Sequence, residues 1–442
     1  MKWILGTIIV LLLGLLLKLT LLVYAMYVLG GILLLSRFFT KTWTESLVAR
    51  RSCNLEVAEI GDTARVGVEL ENKGLLPIPW LLVEDSLQRE GEPLMLQRIQ
   101  VEGPRLALAR LARGERAALI GYDVKFLMRG YYQFGPMLVE MGDVFGLHRH
   151  YRIKAEPHYV MVLPKVLPLQ GYNLASRRPM GEIRVTHRLF EDPTRLASVR
   201  PYQRGDPLNR IHWRATARTG EIHSRVYENS RIAGATFLLD FHAKHYAGGE
   251  GSASAELAVM TVAALANAVY LMGQQIGFAS NGRDAADRIR EEGWKAEFLT
   301  RDEAIHEAKT MPANTRLKPL LVETGKNPDR FRWILETLAR LEHTDGLDFS
   351  EMVREINSRI PRNATVVAVL REVTPDIAVS LGELARRGFL VTTIIVTSGE
   401  ATVPDWARAP DWAEMLLAQR IDFHIVNSEE AVTNLCAEAI VK

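Results

Sequence analysis

The sequence predicts a multi-domain chain: a transmembrane helical hairpin at the N-terminus, an all-β sandwich-like domain, and a doubly wound α/β domain at the C-terminus. Three observations predict it. Apolar residues fill 29 of the first 39 positions. Short alternating runs punctuated by proline and glycine follow to about residue 165. Beyond residue 231, apolar runs of strand length alternate with stretches of helical spacing. A length of 442 residues suits two or three domains. The boundaries fall at 1–39 for the hairpin, 50–165 for the β domain, 166–231 for a connecting joint and 232–442 for the α/β domain.

The apolar head divides at Lys18 into Trp3–Leu17 and Leu19–Leu35. One helix through both would be roughly 50 Å long, against roughly 30 Å of hydrocarbon. A lysine at its centre would cost a few kcal/mol unless it snorkelled. Two spans with Lys18 and Thr20 in a tight turn relieve both problems. One long tilted anchor and a cleaved signal peptide are the alternatives, although no A-x-A site follows the first run. Arg37, Lys41, Arg50 and Arg51 follow the second span, so the positive-inside rule sets the soluble body in the cytoplasm.

In the β domain, Val66, Val68 and Leu70 alternate with polar residues before the turn signal Asn72-Lys73-Gly74. Leu119–Phe126 and Tyr131–Met141 repeat the pattern around Arg129-Gly130, and Pro77, Pro79, Pro104, Pro136 and Pro157 argue against helices. In the last domain, Ala235–Asp240, Gly277–Ser280, Ala364–Leu370, Phe389–Val396 and Ile421–Val426 read as buried strands. Ala253–Met272, Phe331–Leu341, Ile377–Arg387 and Glu429–Val441 read as helices. That alternation means a parallel sheet, whose ligands meet the carboxyl ends of its strands, and Asp240 stands at one such end.

Charge excludes several classes. Lysine plus arginine number 54 against 52 acids, which leaves a net charge of +2 and no nucleic-acid footprint. Cys53 and Cys436 form no C-x-x-C pair, so a disulfide scaffold and a zinc ribbon are both excluded.

The joint is arginine-rich and lysine-free. Residues 177–225 hold eleven arginines, and no lysine occurs from Val166 to Ala243. Positive charge alone would admit lysine, so the planar bidentate fork of guanidinium is implied. Asp206, Glu191 and Glu221 could pair with these arginines and pin the loop. The surplus of cations equally suits a phosphate or an acidic partner, and an enzyme site there is the third reading. No nucleophile–base pair or P-loop accompanies it.

These residues carry a resemblance. Tyr202, Gly205, Asp206, Trp213, Ala217 and Arg218 fit the Y-x-x-G-D-x-x-R-x-I-x-W-x-x-x-A-R signature of the domain of unknown function 58 family. Arg204 lies inside that stretch. Arg210 and Ile211 follow Asp206 slightly later than in the tightest version. Arg129-Gly130-Tyr131 and Gly142-Asp143-Val144-Phe145-Gly146-Leu147 resemble the family's R-G-x-Y and D-P-F-G-L, with valine replacing proline at 144. The resemblance implies a membrane-anchored bacterial protein of the inner membrane, with a C-terminal half similar to a von Willebrand factor type A domain. It also implies a MoxR-type AAA+ ATPase as partner and an adaptor role without catalytic residues or cofactor. The alternative function is a phosphate- or acidic-ligand-binding protein or enzyme that uses the joint.

Type A domains often hold Mg²⁺ through D-x-S-x-S after the first strand. Here Asp240 keeps the acid, but His242 and Lys244 replace both serines, so Asp240 is expected to act as a capping or salt-bridging carboxylate at a degenerate metal position. Asp240, His242 and His245 as a transition-metal set is a weaker reading. His148 and His150 would share a strand face, as many surface histidines do. Ser280-Asn281-Gly282 lacks the context of a serine hydrolase. Trp294, Trp333, Trp406 and Trp412 read as core or edge packing.

Overall fold

The computed structural model describes residues 2–87, 98–143, 149–169, 191–201, 211–229, 234–246, 251–287, 297–298, 318–361, 364–397, 410–419 and 421–435. The chain falls into two compact units, 1–165 with 284–314 and 338–341, and 166–283 with 315–337 and 342–442.

The first unit begins with helices α1 (Lys2–Leu16) and α2 (Thr20–Ser46). Lys18 takes the left-handed conformation, φ 53°, and the Leu19 N–H reaches back to the Gly14 carbonyl at 3.0 Å. The reversal is antiparallel: a Cβ on Gly14 would touch Leu22 and Val23, and one on Gly30 would approach Thr7. Thr20 opens α2 instead of sharing the turn. Of the two, α2 is long and apolar enough to cross a membrane, while α1 is shorter. The second helix runs well beyond the expected limit at 39. Its last turns carry Ser36, Thr40, Trp43 and Thr44, all buried, and the hydroxyls of Thr40 and Thr44 return to carbonyls four residues back at 2.7 Å. Packing of this end, rather than apolar composition, sets the helix length.

Strand β1 (Leu47–Cys53) follows α2 directly. With β2 (Val57–Ala58), β3 (Thr63–Asn72), β4 (Ile78–Leu87), β5 (Ile99–Glu102), β6 (Leu106–Leu111), β7 (Arg116–Phe126), β8 (Gly130–Gly142), β9 (Arg149–Ala155) and β10 (His158–Val162) it builds two sheets. One is ordered β1-β3-β7-β5. In the other, β8 pairs with β4, β9 and β10, β4 also pairs with β6, and the strand Glu297–Phe298 adds to β9. All these pairs are antiparallel, whereas β2 joins β10 in parallel. The period of two in β3 aims Val66, Val68 and Leu70 inward against Leu81 and Val83 of β4 and Phe134 and Val139 of β8, so both sheets share one core. Inside it Arg51 lies on Asp85 through Nη2 and through Nε at 3.2 Å, while the Tyr122 hydroxyl donates to Asp85 at 2.8 Å. Arg129 of the R-G-x-Y stretch is buried and donates to the carbonyls of Leu338 and Leu341 at 2.6 and 3.1 Å.

The second unit opens with a hairpin that sequence reading missed. Its strands are β11 (Glu191–Pro201) and β12 (His223–Asn229), and α3 (Trp213–Thr219) lies between them. The main sheet of the unit holds β13 (Gly234–Leu239), β14 (Gln275–Ser280), β15 (Leu320–Gly325), β16 (Ala364–Leu370), β17 (Leu390–Val396) and β18 (Asp422–Val426), in the order β15-β14-β13-β16-β17-β18. The five expected strands are parallel. β15, which was not expected, runs antiparallel on the edge, so the sheet is mixed. Helices α4 (Gly251–Leu271), α5 (Asp329–Arg340), α6 (Phe349–Ile356), α7 (Pro375–Arg386), α8 (Pro410–Ala418) and α9 (Glu429–Asn434) complete the unit, except that the last residues of α5, from 338, belong to the first. Although α4 is apolar enough for a membrane, 72% of its apolar window is buried, as in the core helix of a globular domain. Trp333 on α5 is 43% exposed beneath the Arg330 guanidinium at 5.2 Å, an edge position. Trp294 and Trp406 lie outside the described residues, as does the side chain of Trp412.

Candidate functional site

The sheet of the second unit changes winding direction between β13 and β16. From β13 the chain passes through α4 to β14 on one side, and from β16 through α7 to β17 on the other. Such a reversal leaves a crevice outside the carboxyl ends of the two strands. Asp240 follows β13 there, fully buried, with its own N–H on the Val369 carbonyl at 3.1 Å.

Both oxygens of its carboxylate are engaged by protein donors. Oδ1 accepts from Asn281 Nδ2 at 2.9 Å and from the His242 N–H at 3.3 Å. Oδ2 lies 2.5 Å from His245 Nδ1. The backbone carbonyl of Asp240 accepts from the Tyr246 hydroxyl at 3.0 Å. Asn281, at the end of β14, also takes the Phe241 N–H at 2.7 Å and donates to the Leu347 carbonyl at 3.1 Å. One buried amide thus ties three loops to the carboxylate. The sequence offered only an S-N-G turn, and nothing in the residue pattern singled out that amide.

His245 occupies the 3₁₀ turn Ala243–Tyr246, with its side chain 4% exposed. Burial lowers its proton affinity. The hydrogen bond to Asp240 and the charges of Asp240 and Glu372 outweigh that, so the imidazole titrates above its ordinary value. Asp240 and His245 therefore form a buried ion pair. His242 is not part of it: its Nε2 stands 3.8 Å from Asp348, and its ring centre 5.8 Å from that of His245. Lys244 turns away to Asp348 at 2.7 Å. That contact holds the Asp348 carboxyl below the usual range and raises the ammonium. Asp348 also opens α6, where its N–H donates to Glu351 at 3.3 Å. His343 stacks on Phe241 with ring centres 4.1 Å apart. Among the described residues no group of three His, Cys, Asp or Glu side chains is placed to hold a metal ion. The carboxylate is surrounded by N–H donors, a chemistry that suits a counter-ion for imidazolium better than a cation ligand.

The described part of the arginine joint is a surface element. Ile211 is buried and bridges Ser224, and the His212 ring caps α3 by accepting the Ala215 N–H at 3.0 Å. Gly220 ends the helix at φ 79°, where a side chain would be strained. None of the residues of α3 is buried, and Trp213 is 68% exposed beside exposed Arg214 and Arg218. Tyr202, Arg204, Gly205, Asp206 and Arg210, on which the pinning reading rests, lie outside the described residues, as do Val144 to His148. His150 is exposed on β9.

Residues 198–409 match the family described as "Protein of unknown function DUF58". A curated relative, the uncharacterized protein YeaD of Bacillus subtilis, is 25% identical over 240 residues, which span 54% of this chain and 57% of that protein. Among solved structures, the CARDB domain of the PF1109 protein of Pyrococcus furiosus is 13% identical, covering 26% of this chain and 87% of its own, at a TM-score of 0.18. Native alpha-2-macroglobulin of Escherichia coli is 16% identical, covering 27% and 16%, at a TM-score of 0.21. Over residues 198–409, where the exposed tryptophan helix and the switch-point carboxylate both lie, the chain is similar to the DUF58 family.

Proposed function

We propose that the protein is a membrane-anchored interaction module without catalysis of its own, working with a MoxR-type AAA+ ATPase in the assembly or maturation of other proteins. One observation carries this reading: the tryptophan of the family signature is on the surface. Exposing a large ring costs solvation free energy, and tryptophan and arginine dominate the energetics of protein interfaces. Trp213 with Arg214 and Arg218 on a helix that buries nothing is a suitable anchor for a partner. The buried carboxylate of Asp240 adds support, since both its oxygens are engaged by donors that hold loops together and it has no exposed surface to offer a substrate. The resemblance to the family supplies the ATPase. In this reading the hairpin lies in the cytoplasmic membrane and the body in the cytoplasm.

Affinity purification of the tagged full chain from detergent-solubilised membranes tests it. The wild type should bring down an AAA+ ATPase, and Trp213→Ala should lose it at an unchanged melting temperature. Recovery of no such ATPase, or equal recovery with Trp213→Ala, would refute this role. A phosphate- or acidic-ligand site in the joint is the second reading, favoured by the exposed Arg214 and Arg218.

A further inference from the structure

Two buried nitrogen atoms at the switch point have no hydrogen-bond partner among the described residues: Nε2 of His245 and Nη1 of Arg371. Arg371 leaves the carboxyl end of β16, immediately across the crevice from the segment that follows β13. Its guanidinium lies over the Tyr246 ring at 5.7 Å. Nη1 stands 3.2 Å from the place a Cβ on Gly251 would take. Gly251 is the first residue of the 21-residue helix α4, and that same Cβ would meet the Tyr246 carbonyl at 1.8 Å, so only glycine fits. The arginine, the 3₁₀ turn that carries His245 and the amino end of α4 are therefore brought to one place.

All three offer donors. The Nδ1 of His245 is committed to Asp240, which leaves Nε2 without a partner among the described residues, a nitrogen that carries an N–H when the ring is protonated. The first turn of an α-helix presents N–H groups with no intrahelical partner at the positive end of its dipole. Guanidinium supplies a planar fork suited to two oxygens. The nearby carboxylates are mostly engaged: Asp240 accepts from three N–H groups, and Asp348 holds Lys244. Among the described residues Glu372 is a further acid there, acting on His245 through space. Buried donors without acceptors call for an acceptor from outside the chain.

We infer that this edge of the sheet binds a small oxyanion, the phosphate or carboxylate group of a small molecule, between Arg371, His245 Nε2 and the amino end of α4. The site uses none of the residues of the arginine joint or of the helix that carries Trp213, and it does not depend on the ATPase.

Calorimetry on the full-length protein in detergent, titrated with inorganic phosphate and separately with acetate, tests it. One saturable site for either anion is expected. Arg371→Gln and His245→Gln should each weaken it at least tenfold. Glu372→Gln, which removes a repelling carboxylate, should tighten it several-fold. Should Arg371→Gln fail to fold, Arg371→Lys serves in its place, because the lost fork should still weaken binding. As a second readout, the anion should raise the melting temperature of the wild type more than that of the arginine variant. Saturation by neither anion, unchanged affinity in the arginine variant, or weaker binding in Glu372→Gln would overturn the assignment.

Discussion

An imidazole in water titrates near pH 6.5, and His245 titrates above that in the folded chain because its partner Asp240 outweighs burial. The folded state therefore binds the proton more tightly than the unfolded state. This contribution to stability is complete below about pH 6.5 and is lost as pH rises through the folded value. Thermal melting of the full chain across pH 6 to 9 should show that decline, and His245→Gln should flatten it. A wild-type curve that rises over the same range would exclude the ion pair. The core of the first unit sets a second expectation. Asp85 is fully buried between Arg51 and Tyr122, and burial together with the Asp85 charge pushes the Tyr122 phenol above its ordinary value. Asp85→Ala leaves a buried guanidinium unpaired and should cost about 3–5 kcal/mol in denaturant unfolding. Neither cluster was evident as such in the sequence. Asp240 stood out because it ends an apolar run, but Asn281, Arg371 and Asp348 come from distant loops. Only the strand order brings them together.

At the scale of elements, regular periodicity was legible and context was not. The β3 alternation and the apolar parallel strands emerged because burial imposes their pattern directly on the residues. β15 did not, since Leu320–Gly325 carries Glu323 and Thr324 and lies on an edge, where one side of the ladder has no neighbour to satisfy. The length of α2 was misjudged for a related reason. Composition marks where lipid-compatible residues stop, whereas Thr40, Trp43 and Thr44 stay helical because they pack on the β unit. Trp43 is 6% exposed and stacks on Phe39 at 5.7 Å. Trp43→Ala should therefore destabilise the first unit by about 3–5 kcal/mol. The same substitution should leave membrane extraction unchanged, because the apolar stretch before it is intact. A protein that melts normally without this indole would show that the helix end is merely adjacent to the domain.

On the scale of the whole molecule, the proposed anchor is two helices, one short, and Arg37, Lys41, Arg50 and Arg51 give the expectation for their orientation. A reporter active only in the periplasm, fused after Arg51, should be silent, and a cytoplasmic reporter at the same point should be active. The opposite pattern would put the body outside. The apolar head, the alternating strands and the α/β succession were readable because each has its own hydrophobic grammar, although the chain falls into two compact units. The joint was the least readable: its arginines advertise partners without naming them, and the hairpin of β11 and β12 was hidden among them. A last consequence follows from the junction at Ser46 and Leu47, where α2 becomes β1 with no intervening residue. The Lys154 ammonium, whose proton affinity burial depresses, donates to the Thr44 carbonyl and clamps that junction to β9. A flexible tether of about twenty residues would let a body wander over some 25 Å. Here the tether length is zero. With α2 in a bilayer, the β unit cannot search the bulk solution. Anything that engages it must come to the membrane surface, and the encounter becomes a two-dimensional one in which partners that are themselves held at that surface have the advantage.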